Sequence, residues 1–297
     1  MAAARIIFFG TLGVMSHAAL RQLLNYNLNI VNVVIPGHEP FKMPNESMKS
    51  IPVEQPQHDT IELLAIKHDI PLTYIQDIHS PDTFNTLSDL GADFILIACF
   101  PYILPLQLQT LPNIASLNLH PSLLPAYRGP VPLFWQLKEG ITQFGMTLHQ
   151  VSQKIDSGNI ILQEQIRLKD GMRGRAIDAA LGELGATLFV EALRLYGRRS
   201  VVPKLQDQGK ASYHTIPTAK DFELSSQWTA RRAFNFMRGT DEWNQTYRIV
   251  LDNREFSLTN PIAYSPAGLL RESYELKGNV ITIRFTQGLL QAEVRGY

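Results

Sequence analysis

Over the first two thirds of the chain, short apolar-rich runs alternate with longer segments of helical spacing. The runs cover residues 5–9, 31–35, 72–75, 94–98 and 117–120. The run 94–98 is continuously apolar, the kind that a parallel sheet buries on both faces. Between them, S-H-A-A-L-R-Q-L-L-N follows a tight G-T-L-G turn, with Ser16 as the expected cap. T-I-E-L-L-A-I-K-H is preceded by Asp59 as cap, and S-P-D-T-F-N-T-L-S-D-L-G offers Ser80 as cap, Pro81 at the first helical position and Gly91 as stop. A short helix is expected near 106–110. Strands and helices in alternation predict an α/β fold with a Rossmann-like, doubly wound, mostly parallel sheet.

The pattern then changes twice. A helix over 132–139, ended by Gly140, precedes strands over 144–151 and 160–166, which flank the turn I-D-S-G-N. A long helix over 176–196 comes next, and the polar residues 198–212 read as a linker. Beyond Asp221, W-T-A-R-R-A-F-N-F-M-R predicts one helix, followed by short strands over 248–251, 255–258, 280–285 and 290–294. D-N-R and K-G-N have the composition of hairpin turns. A β-rich tail of about 90 residues entered through one helix predicts a small barrel. Two domains are therefore expected, over 1–200 and 201–297.

Composition narrows the partners. The 297 residues are 45% hydrophobic and 18% charged, with 27 basic against 27 acidic side chains. Nothing in that balance advertises a polyanionic partner, although a local patch would suffice. The lone cysteine, Cys99, sits in the apolar run F-I-L-I-A-C-F and is expected to be a buried structural thiol in a reducing compartment. The opening apolar run is too short for a signal peptide, and no segment approaches the roughly 18 apolar residues of a membrane span, so a cytoplasmic location is expected. The first turn is G-x-x-G and lacks the dinucleotide fingerprint G-x-G-x-x-G. No cluster has zinc-ligand spacing, so no metal is expected. Residues 36–58 carry five prolines and read as a long ordered loop or flap.

The candidate chemistry lies between Ser116 and Ile161. Asn118 and His120 are two apart, so on a strand they leave the same face. Pro121, Pro125, Gly129, Pro130 and Pro132 then impose an irregular loop at the strand end, where open α/β sheets place ligands. Asp156 sits in a second strand-end turn. An amide, an imidazole and a carboxylate are the parts of a site that moves a proton beside a developing oxyanion. A hydrogen-bonded structural His and a turn-forming Asp are the bland readings of the same residues.

Three segments carry a resemblance: N-L-H-P-S-L-L-P-A-Y-R-G at 118–129, G-M-T-L-H at 145–149 and D-S-G-N-I at 156–160. They resemble the formyltransferases that use 10-formyltetrahydrofolate, the superfamily of methionyl-tRNA, amino-sugar and glycinamide ribonucleotide formyltransferases. The resemblance implies that Asn118 and a protonated His120 stabilise the oxyanion. Asp156 would raise the His120 pKa and accept the amine's proton. It also points to Tyr102, Ile103 and Leu104, and to Ser152, Gln153, Lys154 and Ile155, as the folate-binding residues, and to an OB-like C-terminal domain. Arg128 either pairs an acceptor phosphate or carboxylate or braces its loop. His149 reads as a satisfied core histidine, and Phe134 and Trp135 as packing.

Methionyl-tRNA formyltransferases carry a basic insertion where this chain has only Lys42 and Lys49, opposed by Glu39, Glu46 and Glu54. The acceptor is therefore expected to be a small primary amine, such as a nucleotide-linked amino sugar, with charged initiator tRNA as the alternative. Arg231, Arg232 and Arg238 on the C-terminal helix either touch phosphates or form a solvated face. A 10-formyltetrahydrofolate hydrolase is a further alternative, but such domains have an apolar residue in place of Asn118. A non-catalytic folate-binding module is opposed by the intact trio.

Overall fold

The computed structural model describes residues 4–37 and 60–296. Its first layer is a seven-stranded sheet in the order β3-β2-β1-β4-β5-β6-β7. β1 (Ile6–Gly10), β2 (Ile30–Pro36), β3 (Leu72–Ile75), β4 (Phe94–Ala98) and β5 (Ala115–His120) run parallel to their neighbours. β6 (Phe144–Gln150) and β7 (Ile160–Ile166) turn back antiparallel beside β5. The chain winds outward from β1 to β3, then restarts at β4 on the other side of β1, which puts the topological switch point between β1 and β4. β1 and β4 are buried at every position, as their unbroken apolar runs require.

The connecting helices are α1 (Val14–Asn25), α2 (Ile61–Lys67), α3 (Pro81–Ser88), α4 (Leu106–Gln109), α5 (Pro132–Glu139) and α6 (Gly174–Gly197). Ser80 caps α3 by accepting from the Thr83 N–H, with Pro81 opening the helix. Ser16 does not cap α1. Gly13 holds that position, and Ser16 lies fully buried in the first turn, where its hydroxyl donates to the Ala98 carbonyl at 2.7 Å. The end of β4 needs a donor there, and the serine supplies it. Asp59, the expected cap of α2, lies outside the described residues, as does the expected loop beyond Gly37. Thr60 caps α2 instead, accepting from the Leu63 N–H.

A second, antiparallel sheet has the order β10-β11-β12-β9-β8 and forms an OB-like half-barrel. It comprises β8 (Tyr247–Leu251), β9 (Arg254–Ser265), β10 (Tyr274–Lys277), β11 (Val280–Arg284) and β12 (Leu289–Val294). Asp252 and Asn253 both take positive φ in the β8–β9 turn, and Gly278 does so between β10 and β11. β9 is longer than the pattern predicts and pairs irregularly with β12, and β10 escapes the pattern altogether. α7 (Ala230–Gly239) joins the two sheets. Its Phe236 and the Phe134 of α5 meet at 5.3 Å between ring centroids, and Phe222, Trp243 and Tyr247 complete one aromatic cluster. Both sheets therefore draw on a single hydrophobic core. Among the described residues, no helix is long and apolar enough to cross a membrane.

Candidate active site

Register decides which side chains meet at the end of β5. Asn118 stands directly opposite His149 of β6 in the antiparallel pair, and His120 stands opposite Thr147. The Asn118 amide nitrogen lies 3.0 Å from His149 Nε2, while His149 Nδ1 lies 2.8 Å from the Gln150 carbonyl. With Nδ1 donating to that carbonyl, Nε2 accepts from Asn118. His149 is thus the residue that the sequence reading set aside and the fold places at the centre. Its signal is the strand register, which a single chain does not reveal.

Asp156 lies in the β6–β7 connection, with its carboxylate between two imidazoles. Oδ2 is 3.6 Å from His120 Nδ1, and Oδ1 is 3.6 Å from His149 Nε2. Oδ2 also accepts from the Gly129 N–H at 2.8 Å, so the proline-rich loop and the Asp156 turn are stitched together. The fold thus brings His120 to Asp156 directly and Asn118 to it through His149, in one largely buried group. His120 is 4% exposed, and its Nε2 lies 2.7 Å from the Tyr127 carbonyl.

The electrostatics of the pair are asymmetric. Burial pushes the Asp156 carboxyl up, but the His120 and His149 imidazoles and the Gly129 N–H together hold it at about 2. Asp156 is therefore ionised throughout the neutral range. For His120, burial pushes the imidazole pKa down, against the pull of Asp156 and the Tyr127 carbonyl, while His149 and Arg128 push the same way as burial. The expected upward pull of Asp156 exists, yet desolvation outweighs it. The net direction is downward, so the ring of the free protein is mainly neutral at pH 7 rather than the imidazolium expected from sequence.

The loop that follows His120 is built to approach closely. Its Leu124–Pro125 peptide is cis, and Tyr127 takes φ 60°. Thr147 fixes it from β6, donating to the Ser122 carbonyl at 2.6 Å and accepting from the Leu124 N–H. Gly129 takes φ 115°, and a Cβ there would sit 2.1 Å from the His214 carbonyl oxygen, so only glycine fits. Arg128 is 9% exposed. Its guanidinium donates to Gln206 at 3.1 and 2.6 Å and to Gln208 at 3.0 Å, contacts that match a brace rather than an open acceptor clamp.

The residues expected to bind folate flank this group. Leu104 is buried in the core beneath the sheet, Tyr102 is half-buried against Phe100, and Ile103 is 56% exposed. In the Asp156 connection, Gln153 and Lys154 are exposed and Ile155 is 39% exposed. The Lys154 carbonyl accepts from the hydroxyls of Ser152 and Ser157, which closes the turn on itself. Ile103 and Ile155 thus present aliphatic surface to solvent. Cys99, expected to be buried, is exposed: β4 ends at Ala98, and φ 58° at Cys99 takes its side chain out of the sheet's alternation. Arg231 is engaged by Asp170 at 2.8 Å, and the Nε of Arg232 donates to the Lys138 carbonyl, so neither is a loose solvated charge.

Comparison with known proteins places this arrangement. A family model described as formyl transferase matches residues 4–193. The methionyl-tRNA formyltransferase of Staphylococcus aureus (strain Newman) is 31% identical over 194 residues, which are 65% of this chain and 62% of that protein. That of Thermodesulfovibrio yellowstonii is 29% identical over 249 residues, 84% of this chain and 77% of the relative. Among solved structures, the N-formyltransferase of Helicobacter canadensis, in complex with folinic acid and dTDP-3-aminofucose, superposes with a TM-score of 0.67 at 15% identity, covering 97% of this chain and 98% of that one. The sugar 3N-formyl transferase WlaRD gives 0.65 at 18% identity over 100% of both chains. At such identities the structural likeness establishes the fold. The family match spans β1 through most of α6 and includes every residue of the Asn118–His149–Asp156–His120 group, and on that match the chain belongs to the formyl transferase family.

Proposed function

We propose that the protein transfers a formyl group from 10-formyltetrahydrofolate to a primary amine. The observation that carries this reading is the Asp156 carboxylate, ionised and held between His120 and His149, with Asn118 hydrogen-bonded to the second of these imidazoles. The folate supplies a formyl carbon on nitrogen, a weak electrophile that needs help only as charge develops on its oxygen. Attack by the amine forms the new C–N bond and moves an electron pair onto that oxygen. Asn118 has a second amide N–H beyond the one given to His149, and His120 has an N–H that exchanges the Tyr127 carbonyl for the oxyanion. Asp156 takes the proton that the amine must lose, directly or through a water. Collapse re-forms the carbonyl, breaks the bond to the folate nitrogen and returns a proton to it. His149 orients Asn118, and Ile103 and Ile155 with the backbone of Ser152, Gln153 and Lys154 form the folate wall, with Tyr102 and Leu104 behind it.

For the acceptor, the proposal is a small primary amine such as a nucleotide-linked amino sugar. Residues 36–58 have two lysines against three glutamates, and the chain as a whole is neutral, whereas binding to a nucleic-acid backbone rests on accumulated positive charge. Charged initiator tRNA is the second reading, favoured by the names of the relatives at 31% and 29% identity. The test is incubation with 10-formyltetrahydrofolate and a panel of nucleotide-linked amino sugars, free amines and methionyl-tRNA, following both tetrahydrofolate release and the formylated product. A formylated amino sugar supports the proposal, and formylmethionyl-tRNA at comparable turnover moves the acceptor to tRNA. Tetrahydrofolate release without any amine makes the protein a hydrolase. Absence of turnover with every acceptor refutes the reading.

A further inference from the structure

The segment between the two sheets, read from sequence as a linker, lies across the candidate site. Lys204 pairs with Ile160 at the start of β7, and Tyr213 pairs with Arg128. Ser212 accepts the Arg128 N–H through its carbonyl and the Tyr127 N–H through its hydroxyl, and the His214 N–H donates back to the Arg128 carbonyl. One strap therefore holds both the loop that follows His120 and the loop that carries Asp156. Gln206 is its one buried residue over 202–210, at 7% exposure.

The Gln206 amide is fully engaged. Its Oε1 accepts from Arg128 Nε and Nη2 at 3.1 and 2.6 Å, and its Nε2 donates to the carbonyls of Asp156 and Gly158 at 2.8 and 2.7 Å. The orientation is unambiguous, because a flipped amide would set its nitrogen against a guanidinium and its oxygen against two carbonyls. Gln208 repeats the grip on Arg128 at 3.0 Å and donates to the Gln206 carbonyl. Asp156 needs such a grip. It takes φ 50°, a left-handed conformation that aspartate tolerates better than most residues but that must be held for its carboxylate to keep one direction. Gly158 is equally constrained, since a Cβ there would lie 1.8 Å from the Gln150 carbonyl oxygen. The turn is thus pressed against β6 on one side and held by Gln206 on the other.

We infer that Gln206 is a positioning residue for the formyl-transfer site: it locks the Asp156 backbone in its left-handed conformation and so aims the carboxylate at His120. The inference rests on the reading of Asp156 as the proton acceptor. A purely structural Gln206 would stabilise the fold without setting the Asp156–His120 geometry. The charged and titratable groups facing His120 are Asp156, His149 and Arg128, and of these only Asp156 pulls its imidazole toward the charged form.

The decisive measurement is an NMR titration of the His120 ring, assigned with His120→Ala, in Gln206→Leu, Asp156→Asn and the double variant. It needs neither folate nor acceptor. Gln206→Leu is expected to lower the His120 midpoint by about 0.5 pH units or more, and to lower it no further in the Asp156→Asn background. A midpoint unmoved by Gln206→Leu, or an equal fall in the Asp156→Asn background, overturns the inference. Should Gln206→Leu fail to fold, Gln206→Glu keeps an acceptor for Arg128 while losing both donors to the turn. With the amine that the acceptor panel identifies, Gln206→Glu is expected to lose about 10- to 100-fold in kcat while KM for 10-formyltetrahydrofolate changes by about twofold or less. A near wild-type kcat in a folded Gln206→Glu protein also overturns it. Failure of the functional reading shows separately, as an inactive wild type with the His120 titration still coupled to Gln206.

Discussion

Replacing Asp156 with asparagine removes the charge that two imidazoles and the Gly129 N–H surround, and the structure sets the size of the effect. The carboxyl falls from an ordinary 3.8 to about 2 on folding, net of the opposing effect of burial. At about 1.4 kcal/mol per pH unit, that fall contributes up to roughly 2 kcal/mol of stability at mildly acidic pH, where the neighbouring imidazole is charged. The side chain is only 12% exposed, so solvent screens little of it. A carboxyl whose folded pKa is depressed stabilises the protein above its unfolded pKa, and the contribution fades as pH falls through the folded value. The stability gap between wild type and Asp156→Asn should therefore widen as His120 takes up its proton below pH 6.5, and narrow again as the carboxyl itself is protonated. By pH 3 it should have shrunk to roughly 1 kcal/mol. Urea unfolding of both proteins at matched pH values measures the gap. Turnover of the same variant should fall about 10²- to 10⁴-fold, as expected on losing a general base. A gap that does not change with pH, or an asparagine variant as stable as wild type throughout the mildly acidic range, would refute the assignment of an ionised Asp156 held by its neighbours.

Asn118→Ala should lose about 10²- to 10³-fold in kcat with folate affinity little changed, checked by steady-state kinetics and by direct folate binding, because its free N–H acts on charge that appears only during reaction. Gly129→Ala forces a Cβ to within 2.1 Å of the His214 carbonyl, so the loop must shift and release its N–H from Asp156. A lowered thermal midpoint together with lost turnover is expected, and near-normal activity would contradict the close approach. Phe134→Ala empties the aromatic cluster between α5 and α7 and should cost about 3–5 kcal/mol in urea unfolding. Because the two sheets share that core, unfolding should remain one cooperative transition followed alike by near-ultraviolet and far-ultraviolet circular dichroism.

The expected elements largely coincide with those of the structure where the apolar pattern is unbroken: β1 and β4 are buried strands because no polar side chain offers them a solvent face. Asn118 and His120 share a face by strand geometry alone, and Ser80-Pro81 marks the start of α3 by local hydrogen bonding. Failures occurred where a partner from elsewhere in the chain made the decision. Ser16 looks like a cap in isolation, but the Ala98 carbonyl, 82 residues away, claims its hydroxyl. Residues 198–212 look like a linker because they are polar, yet Gln206 is polar for the sake of Arg128 and the Asp156 turn. His149 looks like an ordinary strand residue until its pairing with Asn118 is known.

By itself, then, the chain's order of residues settled which segments become strands and helices, where the irregular loops fall, and which amide, imidazole and carboxylate are available, because periodicity, capping and proline act over a few residues. Only the tertiary structure decided that His149 stands between Asn118 and Asp156, that His120 is made neutral by burial, and that Gln206 holds the Asp156 turn. Register and desolvation depend on which surfaces meet across the sheet, and no local pattern encodes that.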